Sequence, residues 1–263
     1  MSERWDGDFV PPMLAVAGTR PFDDPSFRFE LKWDGWRALA GRQSKRLKVW
    51  SRSGHDMLAR FPDLEDLGRR IPSDMLLDGE LVSLGDDGRP DFLGLGGRHP
   101  PHLAFVAFDV LAEEGVLLLA EPLSARLRAL TRLNGGGRLF RNPGVEGGQD
   151  RGIAFYQAVA DLALEGVMAK RLAAPYLPGQ RSDAWLKLPV WTRIWLRIVG
   201  VVPRQRGVSL ILTGADGAPA GQVTCDAAPP SGVATVLVET RGRTSDGRLR
   251  HARIVAFGEE ERR

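Results

Sequence analysis

The octapeptide ELKWDGWR, from Glu30 to Arg37, combines residue types that suit covalent transfer of a nucleotide. A lysine amine that has lost its proton can attack phosphorus, and a covalent lysine–nucleotide intermediate divides the reaction into two easier displacements. The acid, the glycine and the arginine around Lys32 fit such a site. The same octapeptide also fits a plain β-hairpin with an Asp-Gly turn and a solvated lysine.

Two later segments place further candidate side chains in apolar strands. Glu80, in LDGEL, interrupts an apolar run and could accept a ribose hydroxyl or hold a metal ion. Alternatively, this segment forms a second hairpin in which the Glu80 carboxylate is exposed. Phe108, in FVAFDVL, could stack on a purine face, although aromatic residues in such a strand more often belong to the core.

Charged residues recur in two more segments, EGVMAKR and WLKLP. Glu165 and Lys170 lie five positions apart, and this odd offset directs them to opposite faces of a strand unless a bulge or strand end intervenes. Lys187 follows in the second segment. Each lysine alone also fits a solvated surface position.

The elements that must position these residues mix strands and helices. The alternation on both sides of Asp34-Gly35 predicts a hairpin, and the spacing of apolar residues over 57–71 predicts a helix. Amphipathic helices are predicted over 122–133 and 153–164, and strands over 47–52, 75–84 and 102–111. The sequence therefore predicts an α+β domain with antiparallel sheets.

Beyond Trp185 the pattern changes to five short β-rich runs broken by Gly, Pro and Asp. This strand count suits a small oligonucleotide-binding (OB) barrel. We expect a first domain over 1–190 and a second over 191–263. The predicted runs are 194–202, 208–213, 221–225, 233–240 and 249–257.

Composition narrows the chemistry. The 263 residues suffice for a large and a small domain, and Cys225 is the single cysteine, which leaves oxygen or histidine ligands for any metal. The net charge of +3 is weak evidence for a nucleic-acid partner. Five of the 36 basic residues are lysine, and three of them fall in the segments above. The chain lacks an apolar run of membrane-spanning length and a signal-peptide pattern, which predicts a cytoplasmic protein.

The order and gaps of these segments resemble those of the ATP-dependent DNA ligases, within the covalent nucleotidyltransferase superfamily. The resemblance covers about residues 10 to 190 and is closest to small bacterial ligases and the ligase modules of end-joining enzymes. The segment EGVMAKRLAAPYLPGQRSDAWLK, from Glu165 to Lys187, matches their pattern along nearly its whole length. The first domain is then expected to be an adenylation (nucleotidyltransferase) domain, followed by a shortened OB-fold domain.

The resemblance implies a role for each candidate residue. Lys32 would be the adenylated nucleophile, and 5′-phosphorylated nicks or breaks in double-stranded DNA would be sealed with ATP and Mg²⁺ or Mn²⁺. Glu165 and Glu80 would bind metal, and Glu80 also the ribose. Glu30 and Phe108 would contact the adenine, and Arg37 would contact the ribose. Arg52 would contact the nucleotide and later the phosphate of the nick. Lys170 and Lys187 would contact the phosphates.

Two departures from the family leave alternatives open. Pro189 stands where the family usually has a second lysine, and the expected C-terminal basic motif is replaced by FGEEERR, residues 257–263. Lysine adenylation could be slow, or a basic residue could substitute: Arg193, Arg204, Arg262 or Arg263. The alternatives are a catalytically weakened protein that binds nicks or DNA ends, and an RNA ligase or guanylyltransferase.

The expected partner surface follows from the need to accept any DNA sequence. Contacts should go mainly to phosphates and weaken with salt. The arginine-rich segments 42–48 and 241–253 are candidates for this surface, with a solvated charged face as the alternative. We expect a monomer, nucleoid-associated when bound to DNA, that acts alone or with an end-joining polymerase and an end-binding protein.

Overall fold

Two compact units make up the part of the chain that the structure describes. The structure is a computed structural model and describes residues 3–97, 99–242 and 247–258. The first unit contains the residues up to Asp161 together with Gly166–Leu188, and the second contains Leu162–Glu165 and the residues from Pro189 onward.

The first unit consists mainly of strands, with two short α-helices. Two 3-10 helices, Pro62–Arg69 and Gly94–Gly96, lie between strands. In chain order the strands and α-helices are β1 (Leu14–Ala17), β2 (Phe27–Leu31), β3 (Trp36–Gln43), β4 (Arg46–Ser51), β5 (Met75–Val82), β6 (Ala104–Glu113), β7 (Val116–Leu117), α1 (Leu123–Thr131), β8 (Leu139–Arg141), β9 (Gly144–Glu146), α2 (Arg151–Asp161), β10 (Gly166–Arg171) and β11 (Arg181–Pro189).

These strands form two sheets. One sheet has the order β4-β3-β5-β6-β7, and β8 joins β6 in parallel. The other has the order β1-β11-β10-β2-β9, in which β1 runs parallel to β11. The remaining pairings for which a register is determined are antiparallel. The predicted antiparallel sheets are therefore confirmed, but the unit is richer in strand than an α+β prediction suggests.

Two large hydrophobic clusters lie in the described part of the first unit, besides a small one around Val82, Ala104 and Val106. One lies on the face of the first sheet that packs against the 3-10 helix over 62–69 and α1, with Phe61, Leu64 and Leu130 among its buried members. The other joins the two sheets and includes Phe108 of β6 and Trp185 of β11. The space beside this second cluster contains the candidate site.

The predicted hairpin at Asp34-Gly35 is wrong. The flanking strands β2 and β3 belong to different sheets, so the segment between them is a crossover. Gly35 lies so close to β5 that an added Cβ would stand 2.2 Å from the Leu81 carbonyl oxygen. The glycine therefore permits close passage of the backbone, a requirement that short-range sequence signals do not separate from a tight turn.

The helix predictions are confirmed at two of three places. The segments 122–133 and 153–164 form α1 and α2. The segment 57–71 forms a 3-10 helix over Pro62–Arg69, which begins only at Pro62 because a proline fits the first turn of a helix but not its interior. LDGEL is one continuous strand, β5, and not a second hairpin.

The second unit is an antiparallel sheet of five strands, and each of the five β-rich runs predicted after Trp185 is confirmed as a strand. The sheet has the order β14-β13-β12-β15-β16 and buries apolar side chains such as Leu196, Leu210 and Val236. Glu239 on β15 pairs with Arg193 and Arg253. The strands are β12 (Thr192–Pro203), β13 (Val208–Thr213), β14 (Pro219–Cys225), β15 (Thr235–Thr240) and β16 (Arg253–Phe257).

Candidate functional site

A cavity of about 210 Å³ in the first unit brings together most of the residues predicted to bind the nucleotide. Both sheets contribute to it. The residues that line it include the predicted Glu30, Lys32, Arg37, Arg52, Glu80, Phe108, Lys170 and Lys187, and, in addition, Met13, Leu14, Ala15, Leu31, Trp33, Asn142, Met168, Arg181 and Trp185.

Lys32 directly follows the last residue of β2 and is half-buried. Its backbone N–H donates to the Gly166 carbonyl at 2.9 Å, which continues the β2–β10 ladder by one residue. On either side of it, Asn142 donates to the Leu31 carbonyl at 3.0 Å and accepts from the Trp33 indole N–H at 2.8 Å. The chain around the lysine is thus held at three consecutive residues, at Leu31 and Lys32 through the backbone and at Trp33 through its side chain.

Phe108 lies at a β-bulge. In the β5–β6 pairing Asp78 is opposite Asp109 and Gly79 is opposite Ala107, so Phe108 has no partner between them. A bulge of this kind redirects a side chain locally. The ring is 8% exposed and packs edge-on against Trp185, with a centroid distance of 6.2 Å.

Arg37 is held by a fully buried carboxylate. Its Nε and Nη2 atoms donate to the two carboxylate oxygens of Asp78, each at 2.6 Å. Tyr176 donates its hydroxyl to Asp78 at 2.6 Å and accepts the Met13 N–H at 2.9 Å. Burial acts to lower the pKa of the Arg37 guanidinium, but the Asp78 carboxylate outweighs it and raises the pKa above its usual value. Arg37 is therefore a fixed cation, with its guanidinium carbon 4.6 Å from the Phe108 ring centroid.

Lys170 and Glu30 form a second buried ion pair. The Nζ–Oε2 distance is 2.6 Å, and the side chains are only 2% and 1% exposed. The ammonium group also lies 4.2 Å from the Phe108 ring centroid and 4.5 Å from that of Trp185, and Nζ donates to the Phe108 carbonyl at 3.3 Å. Lys170 therefore lies at the aromatic end of the cavity, and its predicted contact to the phosphates stays a prediction.

The remaining predicted residues occupy different positions. Glu80 is half-buried on β5, opposite Arg37 in the β3–β5 register. Arg52 is exposed in the turn after β4, and Lys187 is half-buried on β11. Glu165 directly precedes β10, and its carbonyl accepts the Val190 N–H at 3.0 Å. Glu165 is not among the described residues that line the cavity.

Sequence reasoning missed several residues that shape the site. Asp78 offered a signal: it lies two positions before Glu80 in an apolar strand and hence on the same face. Asn142 and Tyr176 lie in loops, and their contacts to residues more than ninety positions away leave no local pattern. Arg181 lies within the segment from Glu165 to Lys187 that resembles the family, but the sequence motifs did not assign it a role.

The residues considered as substitutes for the missing basic motif divide into two groups. Arg193 pairs with Glu239, and Arg204 donates to the Gln222 side chain at 3.3 Å. Arg262 and Arg263 lie outside the described residues.

Within the described ranges, no group of three or more His, Cys, Asp or Glu side chains is arranged to hold a metal ion.

The arginine-rich segments proposed for DNA contact already make protein contacts. Arg42 donates to the Ile71 carbonyl, and Lys48 to that of Gly7. Arg241 and Arg253 lie over the Trp191 ring. In the described part of the chain, no helix is both long and apolar enough to cross a membrane.

Solved structures place this fold among the ligases. The ligase domain of LigD from M. tuberculosis matches 97% of this chain and 96% of its own with a TM-score of 0.66 and 26% identity. A mycobacterial DNA ligase D complexed with ATP and MES matches 98% of this chain and 97% of its own, with a TM-score of 0.67 and 27% identity.

Sequence comparison defines the family. Residues 12–188 match the ATP-dependent DNA ligase domain. The SPbeta prophage-derived DNA ligase-like protein LigB of Bacillus subtilis is 30% identical over 81% of this chain and 78% of its own length. The multifunctional non-homologous end joining protein LigD of Mycolicibacterium smegmatis is 31% identical over 70% of this chain, but the match spans only 24% of that protein. This chain belongs to the ATP-dependent DNA ligase domain family, as its ordered motifs predicted.

Proposed function

We propose that this chain seals 5′-phosphorylated nicks or breaks in double-stranded DNA through a covalent AMP adduct on Lys32. The observation that carries the proposal is the convergence of Lys32, the Phe108 ring and the cationic side chains on one cavity. In the first step the Lys32 amine displaces pyrophosphate from the α-phosphorus of ATP. The AMP then passes to the DNA 5′-phosphate, and the 3′-hydroxyl finally displaces AMP as the phosphodiester forms.

The cavity supports an ordered placement of the nucleotide. Phe108 offers an aromatic face for adenine, and the Glu30–Lys170 pair offers polar groups beside it. Arg37 and Glu80, which lie opposite each other on adjacent strands, are assigned to the ribose hydroxyls. Lys187 is assigned to the phosphates. Catalysis then rests on alignment of the amine with the leaving pyrophosphate and on neutralisation of phosphate charge.

The site suits a magnesium ion held jointly with ATP. Mg²⁺ in nucleotide sites is commonly bound by one or two carboxylates together with substrate phosphates and water. Glu80 supplies such a carboxylate at the cavity. Glu165, which is not among the described residues that line the cavity, stays our predicted second ligand of the ion. When bound, the ion would neutralise phosphate charge.

We assign the two units to the predicted domains. The first, with its cavity between two sheets, is the adenylation domain over 1–190. The second, over 191–263, is a shortened OB-fold domain, which its sheet of five antiparallel strands supports. The LigD relatives are named for non-homologous end joining and DNA repair, which supports such a role here, with an end-joining polymerase and an end-binding protein as candidate partners.

The test is covalent labelling with ATP that carries radioactivity at the α-phosphate, in the presence of Mg²⁺. We expect label on the denatured wild-type protein, no label on Lys32→Ala, and discharge of the label by nicked DNA. Lys45→Ala is the matched control, since Lys45 is exposed in the turn between β3 and β4.

Other outcomes would contradict the proposal. Labelling of Lys32→Ala would exclude this nucleophile. Absence of label from wild-type protein that is free of pre-bound AMP would favour a protein that binds nicks without sealing them, which Pro189 in place of the usual lysine makes the second candidate. Preference for GTP or for an RNA nick would point to the guanylyltransferase or RNA ligase alternative.

A further inference from the structure

The cations of the cavity differ in how far the protein itself neutralises them. Arg37 and Lys170 are each bonded to a buried carboxylate, Asp78 and Glu30 respectively. Such pairs are fixed in place, and much of their charge is already compensated. A polyphosphate needs further cations whose hydrogen-bond donors are not committed to protein carboxylates.

Arg181 meets that requirement. It begins β11, lines the cavity and is exposed. Its Nη1 atom donates to the Ala15 carbonyl at 2.5 Å. Within the described parts of the chain, no carboxylate lies at salt-bridge distance from it. A guanidinium has five N–H donors, so this single bond orients the group and leaves other donors for a ligand.

An irregularity in β11 brings Arg181 close to Lys187. Leu14 of β1 is opposite Arg181, and Ala17 is opposite Lys187, so six steps along β11 correspond to three along β1. At about 3.3 Å per residue, the backbone positions of Arg181 and Lys187 are separated by roughly 10 Å along the direction of β1. A regular strand would separate them by about 20 Å. The bulge thus presents both cations to the same cavity.

The order along β1 indicates what Arg181 would contact. The Arg37 Nη2 atom lies 3.4 Å from the Met13 carbonyl oxygen. Arg181 pairs with Leu14 and donates to the Ala15 carbonyl. Lys187 pairs with Ala17, further along β1. Arg181 therefore lies between the residue assigned to the ribose and the residue assigned to the phosphates.

We propose that Arg181 binds a phosphate group of ATP while Lys32 is adenylated. The planar guanidinium matches two phosphate oxygens at once, which the compact ammonium of a lysine does not. This inference rests on the proposed function, since it concerns the first step of that reaction. It assigns to Arg181 a phosphate contact of the kind that Pro189 cannot provide.

The test compares Arg181→Ala and Arg181→Lys with Arg171→Ala in the labelling reaction, over a range of ATP concentrations. Arg171 is a matched control because it lies exposed on β10, stacks on Phe27 and is not among the residues that line the cavity. A charge-assisted hydrogen bond typically contributes a factor of about ten or more in affinity. We expect Arg181→Ala to raise the KM for ATP by about that factor, Arg181→Lys to have a smaller effect, and the control to match wild type.

Two further measurements separate the possible outcomes. In a Lys32→Ala background, which binds ATP without reacting, Arg181→Ala should raise the equilibrium Kd for ATP by a similar factor. Transfer of AMP from pre-adenylated protein to nicked DNA should fall by a smaller factor than ATP affinity, because pyrophosphate has already left before this step. An unchanged KM for ATP, or a defect confined to nicked-DNA binding, would contradict the inference. Absence of label on the wild-type protein would instead contradict the proposed function.

Discussion

Replacement of Asp78 by asparagine tests whether the buried Arg37–Asp78 pair organises the cavity. The substitution keeps the size of the side chain and removes its charge, which leaves the Arg37 guanidinium only 19% exposed beside a neutral amide. Removing one partner of a buried pair typically costs about 3–5 kcal/mol, because the other charge stays buried and uncompensated. Since the amide oxygen can still accept one hydrogen bond and Arg37 is partly exposed, we expect a loss at the lower end, about 3 kcal/mol.

Urea denaturation followed by tryptophan fluorescence measures this loss as a fall in the free energy of unfolding. Asp56→Asn is the matched control: this carboxylate is exposed and accepts one backbone N–H, so we expect a change within about 0.5 kcal/mol. The double variant Arg37→Met/Asp78→Asn should recover part of the loss, because no uncompensated charge remains. A loss below about 1 kcal/mol for Asp78→Asn, or a double variant less stable than the single one, would refute the reasoning.

Three other substitutions test the remaining parts of the argument. Glu30→Gln leaves its buried lysine partner uncompensated, and we expect a fall of about 3 kcal/mol in unfolding free energy and weaker ATP labelling. The pKa of the Asp23 carboxylate is lowered, since backbone hydrogen bonds at the start of α2 outweigh the opposing effect of burial. Its stabilising contribution is present above a pH of about 4 and is lost as the pH falls below it, so Asp23→Asn should reduce the difference between unfolding midpoints measured at pH 6 and pH 3. Gly35→Ala would place a Cβ 2.2 Å from the Leu81 carbonyl oxygen and should cost about 1–3 kcal/mol in a denaturation experiment, whereas Gly96→Ala, with open space at its Cβ position, serves as the control.

Local patterns predicted the elements better than their pairing. The strands of the second unit and the helices α1 and α2 follow from apolar periodicity, which is a property of neighbouring residues. The Asp34-Gly35 hairpin was wrong because an Asp-Gly dipeptide and an apolar strand on each side do not specify that the strands lie in the same sheet. That choice is made by contacts such as the approach of Gly35 to β5, which involve residues far apart in the chain.

The same limit applies to the candidate site. The residue types around Lys32 and the order of the segments predicted which side chains meet, and the cavity contains nearly all of them. The partners of these side chains could not be predicted: Asp78 lies 41 positions from Arg37, and Asn142 lies 111 positions from Leu31. The bulge at Phe108 likewise depends on the register between β5 and β6, for which the sequence contains no local signal.

The roles proposed for Arg37 and Lys32 fit the residue type at each of these two positions. Arg37, bonded in bidentate fashion to Asp78, stays protonated under any condition in which the protein is folded, so it can only orient and neutralise. Lys32 must instead lose its proton to act as a nucleophile, a change that a guanidinium does not undergo. In a chain with only five lysines among its 36 basic residues, a lysine beside β2 is therefore informative. In the proposed reaction, the fixed pairs would hold the base and ribose in place, and exposed cations such as Arg181 and Arg52 would exchange water for phosphate as the substrate enters.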